Sequence, residues 1–294
     1  MSDAGFVLFG LGGAGGKVVN TVAAQHNGEI KAIAIDTDFE AVSRLGNCEQ
    51  HRIGKTRFDG TGSGGDKSGA GMATDEASDL VNIFENVQVA VIVAGIGKGT
   101  GSGMLPKMLA KAAERNVATL VFMIVPFQFE GVELSRRAAE TEQSVSKLGD
   151  IRIICRNDDL CAFSSEATLV ESFNRATLSL AEGITLIWKM TTMPGYINLD
   201  SATLVNIIRS GRGLCNLGVG IASGPQRTKM AAETLLANRG LGLGSKLSGA
   251  KAALVGIIGG EDLRLKEISD TMSSIGSALS MDAEIRMATV LDPA

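Results

Sequence analysis

The sequence predicts an α/β fold: a parallel sheet covered by helices on both faces, then one long helix, then a smaller α/β unit. Three observations carry this. Short apolar runs alternate with helical stretches through the first half of the chain. Glycines cluster where those runs end. A helical apolar stripe spans residues 165 to 189, and Pro194 and Gly195 break the chain after it. The units are placed at 1–164, 165–190 and 191–294.

In chain order, Phe6 to Phe9 is an apolar run closed by Gly10, and a helix follows over about 14–25. Lys31 to Ile35 is a second run, ending at Asp36; Val89 to Ala94, Ala118 to Val125 and Ile151 to Ile154 are further ones. Continuous rather than alternating apolar runs suit strands buried on both faces, as in a parallel sheet between helices. Leu169, Phe173, Ala176, Leu180, Ile184 and Trp188 recur at spacings of three and four, which puts them on one helix face. The last third offers strands at Gly218 to Ser223, Ala252 to Ile258 and Ile285 to Leu291.

Composition narrows the function. The chain has 294 residues, 45% hydrophobic and 20% charged, an ordinary globular mix. The net charge is −4 and no Lys/Arg cluster forms a basic footprint, so nucleic acid is not an expected partner. No apolar run approaches the roughly 18 to 20 residues of a membrane helix. Met1 to Gly5 shows no start of a signal peptide. Cys48, Cys155, Cys161 and Cys215 are scattered without a C-x-x-C pair, so free thiols in a reducing cytoplasm are expected rather than zinc. His26 and His51 are the only histidines.

Gly10-Leu11-Gly12-Gly13-Ala14-Gly15 follows a strand and opens a helix, with Asp36 at the end of the next strand. That is the dinucleotide fingerprint, in which helix N–H groups hold phosphate. A second loop, Gly95 to Gly103, also links a strand to a helix and contains Gly97, Lys98, Gly99, Thr100, Gly101 and Ser102. Two such loops suit a nucleotide triphosphate gripped from two sides better than a nicotinamide or flavin dinucleotide. Neither Lys98-Gly99 nor Gly54-Lys55-Thr56 completes a Walker A motif.

With these loops in order, the sequence resembles the FtsZ/tubulin family. Gly99-Thr100-Gly101-Ser102-Gly103 is similar to the family's G-G-G-T-G-[S/T]-G signature, with Lys98 where the family has glycine. Asp36-Thr37-Asp38 resembles N-T-D, Gly60 to Gly65 the γ-phosphate-sensing loop, and Pro126 to Gly131 the segment P-F-x-F-E-G. Asn157-Asp158 matches N-D and Asn198-Leu199-Asp200 the N-x-D of the catalytic loop. Gly220 to Gly224, Gly259 to Leu265 and the ending Leu291-Asp292-Pro293 resemble second-domain segments.

The resemblance implies a Rossmann-like GTPase domain joined by the central helix to a C-terminal polymerisation domain. It implies GTP/GDP as ligand, admits Mg2+ beside the phosphates, and implies self-association head to tail into filaments. Gly12, Gly13, Ala14, Gly15, Gly64, Gly65 and Gly97 to Ser102 would cradle phosphates. Glu130 and Arg137 (with Arg136 as rival) would reach ribose and phosphates. Asn157 would bond base or ribose, and Phe173 would stack on the base, the alternative being core packing. Asn198 and Asp200 would act on a neighbour's γ-phosphate; Asp200 also suits a helix N-cap.

Three departures temper this. Thr203 stands where the catalytic loop has a second acid, so hydrolysis is expected to be slow or lost. Thr177 and Leu178 stand where the family reads guanine with Asn and Asp. The sequence also ends at the globular core, where FtsZ proteins continue into a linker and adaptor peptide. A divergent relative is expected, with any membrane contact through a partner or the filament surface. Division or membrane remodelling are the expected settings; a non-hydrolysing regulatory or scaffold protein is the alternative.

Overall fold

A computed structural model describes residues 5–161, 167–237, 247 and 249–292. Seven parallel strands form the main sheet in the order β3-β2-β1-β4-β5-β6-β7. They are β1 (Phe6–Leu11), β2 (Lys31–Asp36), β3 (Glu49–Arg52), β4 (Val89–Gly95), β5 (Ala118–Val125), β6 (Ile151–Arg156) and β7 (Gly213–Cys215). Every residue of β1 and β5 is buried, which is why their sequences read as unbroken apolar runs. β1 lies between β2 and β4, with Leu8 opposite Ala32 on one side and Val91 on the other.

Each face has its own core. On one, α1 (Gly12–Gln25), α8 (Leu169–Thr192) and α9 (Ser201–Ser210) bury Val18, Val22, Leu180, Ile184 and Leu204 against the sheet. On the other, α4 (Lys67–Glu76), α5 (Gly99–Glu114) and α6 (Val132–Ser144) bury Ala73, Met104, Met108 and Ala138. The remaining short helices are α2 (Phe39–Ser43), α3 (Lys55–Phe58) and α7 (Asn157–Cys161).

The long helix α8 starts at Leu169, fixed there by a reciprocal cap. Thr168 Oγ1 accepts from the N–H of Glu171, and the Glu171 carboxylate accepts from the N–H of Thr168. The expected start at 165 and the boundary at 164 lie outside the described residues. The second sheet is a parallel pair, β8 (Ala252–Gly259) and β9 (Glu284–Leu291), with α10 (Arg227–Ala237) and α11 (Leu265–Ala278) beside it. Ala288 and Val290 of β9 share one apolar core with α8 and the main sheet.

Two features differ from the sequence reading. Gly218 to Ser223 is not a strand. It has an alternating pattern, but Leu217 and Val219 pack over Gly183 of α8, and no ladder forms along it among the described residues. Residues 201–215, assigned to the C-terminal unit, return to the main sheet: α9 packs under β5, and β7 pairs with β6.

The segment between α8 and α9 is tied to the second sheet. Thr289 N–H donates to the Ile197 carbonyl at 2.9 Å, and Leu291 N–H to the Pro194 carbonyl at 3.1 Å. Ile197 N–H donates to Thr289 Oγ1 at 2.9 Å.

Candidate functional site

Strand order reverses between β1 and β4, since successive strands are added outward from β1 in one direction and from β4 in the other. Such a switch point opens a crevice at the carboxyl ends of the strands. Both glycine loops lie there. α1 begins at Gly12, directly after β1, and α5 begins at Gly99, shortly after β4.

The approach is too close for side chains. A Cβ at Gly15 would collide with the carbonyl oxygen of Val93, and one at Gly101 with that of Gly95. Gly12, at φ +72, brings the start of α1 beside the start of α5; its Cβ would stand 3.3 Å from the Gly101 nitrogen. Two helix N-termini therefore point their unpaired N–H groups and positive dipole ends at one space, which suits a polyphosphate.

Hydroxyls lock the floor of this cradle. Thr37 and Thr100 share a hydrogen bond at 2.7 Å, and Ser63 lies 3.5 Å from Thr100. These join the end of β2, the start of α5 and the 60–65 loop. Ser102 accepts from the N–H of Gly97 at 2.8 Å and so closes the second glycine turn. Thr37 and Ser63 escaped the sequence reading as site residues, although both lie inside quoted motifs. Asp36 is buried and accepts from the N–H groups of Thr37 at 2.7 Å and Asp38 at 3.2 Å. Burial pushes its carboxyl up, against the opposing pull of hydrogen bonds from Asp38, Thr100 and Thr37. Asp36 thus holds a turn, where a dinucleotide site would turn it to a ribose.

Gly64 and Gly65 lie over the same opening, and Arg137 reaches them: its Nη1 is 3.2 Å from where a Gly65 Cβ would stand. Arg136 is held elsewhere, by Glu133 at 2.7 Å and by Glu140. Hydrogen bonds from Arg136 and then Arg137 hold the Glu133 carboxyl down to about 2. Arg137 is therefore the arginine that faces the cradle.

Lys98 Nζ lies 3.5 Å from Glu130, which accepts from the Phe127 N–H at 3.0 Å. The Phe127 ring meets Phe173 edge-on, centroids 5.2 Å apart. Phe173 is 41% exposed, so it is not plain core packing. Asn157 is buried at the end of β6, as the first residue of α7. If Phe173 carries a stacked base, Phe173→Ala is expected to weaken nucleotide binding by about 1–3 kcal/mol in a calorimetric titration; an unchanged affinity would return Phe173 to a packing role.

Asn198 and Asp200 are not brought to this site. Asn198 accepts from the Gly195 N–H at 3.0 Å, and Asp200 caps α9 by accepting from Thr203 N–H at 2.6 Å. The adjoining Ser201 and Leu204 line a small cleft with Gly5, Phe6, Gln88 and Val89, at the amino ends of β1 and β4. The length of β1, about 17 Å over its five steps, separates this loop from the cradle. A cavity of ≈ 490 Å3 between the α1–β2 turn and residues 46–49 is lined by none of the sequence-predicted residues.

A family model for the GTPase domain of the tubulin/FtsZ family matches residues 6–165, and one for the C-terminal domain of the FtsZ family matches residues 213–294. The cell division protein FtsZ of Caulobacter vibrioides is 30% identical over 290 residues, 98% of this chain and 56% of its own length. That of Buchnera aphidicola subsp. Baizongia pistaciae is 32% identical, covering 97% of this chain and 74% of its own. The chain thus spans little more than half the length of the Caulobacter relative. Among solved structures, an FtsZ dimer from M. jannaschii superposes with TM-score 0.89 at 26% identity, over 98% of this chain and 83% of that one. CetZ2 from Haloferax volcanii, a GTPγS-bound protofilament, shares the fold at TM-score 0.80 and 23% identity, over 98% and 90%.

Proposed function

The chain belongs to the tubulin/FtsZ family, and from that premise we propose that it binds GTP and GDP between α1 and α5 and polymerises head to tail, with slow hydrolysis at the subunit junction. The observation that carries this reading is the placement of its two half-sites on opposite edges of one sheet. A cradle at the carboxyl edge and a carboxylate loop at the amino edge cannot meet within one molecule. They meet when one copy stacks on the next, and such a heterologous contact propagates without closing.

In this reading Gly12 to Gly15 and Gly97 to Ser102 hold the phosphates, and Gly64 and Gly65 respond to the γ-phosphate. Arg137, Glu130 and Asn157 take the ribose, phosphates and base edge, and Phe173 takes the base face. Mg2+ would be held chiefly by phosphate oxygens, its usual mode with nucleotides. The expected setting is the cytoplasm, in division or membrane remodelling. No helix among the described residues is long and apolar enough to cross a membrane, so membrane contact would come through a partner or the filament surface.

Asn198 orders the loop and Asp200 orients the attacking water. Hydrogen bonds from the backbone and then the hydroxyl of Thr203 hold the Asp200 carboxyl below its ordinary range. It is therefore charged at neutral pH but a weak base, and with no second acid at 203 slow turnover follows. Thr203 equally favours a second reading, a nucleotide-binding regulator or scaffold without turnover.

Right-angle light scattering with GTP, GDP or no nucleotide, checked by negative-stain microscopy and phosphate release, tests the choice. Filaments with GTP are expected, with release rising at least about tenfold in Thr203→Asp if a second carboxylate is what the loop lacks. No assembly and no release in either protein would favour the regulator.

A further inference from the structure

We propose that the base end of this site grips a purine by stacking and does not read its hydrogen-bonding edge, so that ATP and GTP bind alike. This deepens, and rests on, the nucleotide reading above.

Contacts lead outward from the cradle in one direction. Lys98 touches Glu130, Glu130 holds the backbone of Phe127, and Phe127 stands edge-on to Phe173. Phe127 is also stacked on Phe129, at 4.8 Å and 18°, and Phe129 is 68% exposed. The outer end of the site is thus a shelf of aromatic rings with open faces. Stacking on such a shelf is strong and tolerant, because every base has a π-face.

Telling guanine from adenine takes more than a shelf. Guanine presents donors at N1 and N2, so a site that selects it needs a fixed acceptor, usually a carboxylate. Strong discrimination arises only when the wrong base leaves such a group unpaired. The helical turn after Phe173 offers none. The Thr177 hydroxyl donates back to the Phe173 carbonyl at 2.9 Å, and Leu178 is an aliphatic side chain 44% exposed.

The nearby described carboxylates hold their own loops. Glu130 accepts from Phe127, Asp158 from the Gln128 N–H at 3.1 Å, and Glu171 from Thr168. Asn157 remains, and a carboxamide has both a donor and an acceptor, so it can serve either purine.

Calorimetric titration of the purified chain with GTP, ATP and inorganic tripolyphosphate tests this, alongside Leu178→Asp. The Kd values for ATP and GTP are expected within about tenfold of each other, and Leu178→Asp is expected to separate them to about 100-fold in favour of GTP. A preference for GTP above about 100-fold in the unsubstituted protein would overturn the proposal. So would a GTP/ATP ratio unchanged by Leu178→Asp, which would remove the base from beside Leu178. Binding of neither nucleotide nor tripolyphosphate would instead overturn the nucleotide site itself, and this proposal with it.

Discussion

Gly101→Val is expected to abolish nucleotide binding, raising the Kd for GTP by at least about 100-fold, the equivalent of about 2.7 kcal/mol. The start of α5 lies directly on the backbone of β4, where even a Cβ at 101 would collide with the Gly95 carbonyl. Backbone cannot yield as a flexible side chain can. The helix must move away, and with it the N–H groups that face the start of α1. Overpacking of this kind also costs about 1–3 kcal/mol of stability, so a thermal melt belongs with the titration. Gly46→Ala is the control, because a Cβ there meets nothing within 4 Å. Full GTP affinity in a folded Gly101→Val would remove the second glycine loop from the site.

Asp200→Ala is expected to leave GTP affinity unchanged while lowering phosphate release by about 100-fold, the low end of general-base effects. Losing the α9 cap should also cost about 1 kcal/mol of stability. The decisive form of the experiment is a mixture. Asp200→Ala keeps an intact cradle, and Gly101→Val keeps an intact Asp200 loop. Each alone should be inactive, and together they should regain release wherever an Asp200 from one copy meets the cradle of the other. A mixture no more active than its parts would sink the shared-site reading, since opposite-edge placement leaves no route to activity within one chain.

The central strands were legible because they are buried on both faces, and so their sequences are nearly pure Val, Ile, Leu, Ala and Phe. The edges were not. β3 is Glu49-Gln50-His51-Arg52, polar because it has a neighbour on one side only, and β7 is three residues long. Gly218 to Ser223 misled in the opposite direction: its alternation comes from packing on α8, not from a ladder. At the site, glycine spacing located the cradle, because only glycine tolerates that approach of backbones. Which arginine faced it was open, since Arg136 and Arg137 are neighbours and the choice depends on where Glu133 and Glu140 draw the first of them. The hydroxyl contacts from Thr100 to Thr37 and Ser63 depend on three loops meeting, which no local pattern encodes.

The hydrogen bonds from Pro194 and Ile197 to β9 also have a mechanical meaning. The stretch carrying Asp200 is fastened to the small sheet at one end, and through α9 to the underside of the large sheet at the other. It is a strap across a joint. Any swing of the small sheet about α8 would pull on it and shift the carboxylate, so tension or compression on the small sheet becomes a change in chemical rate.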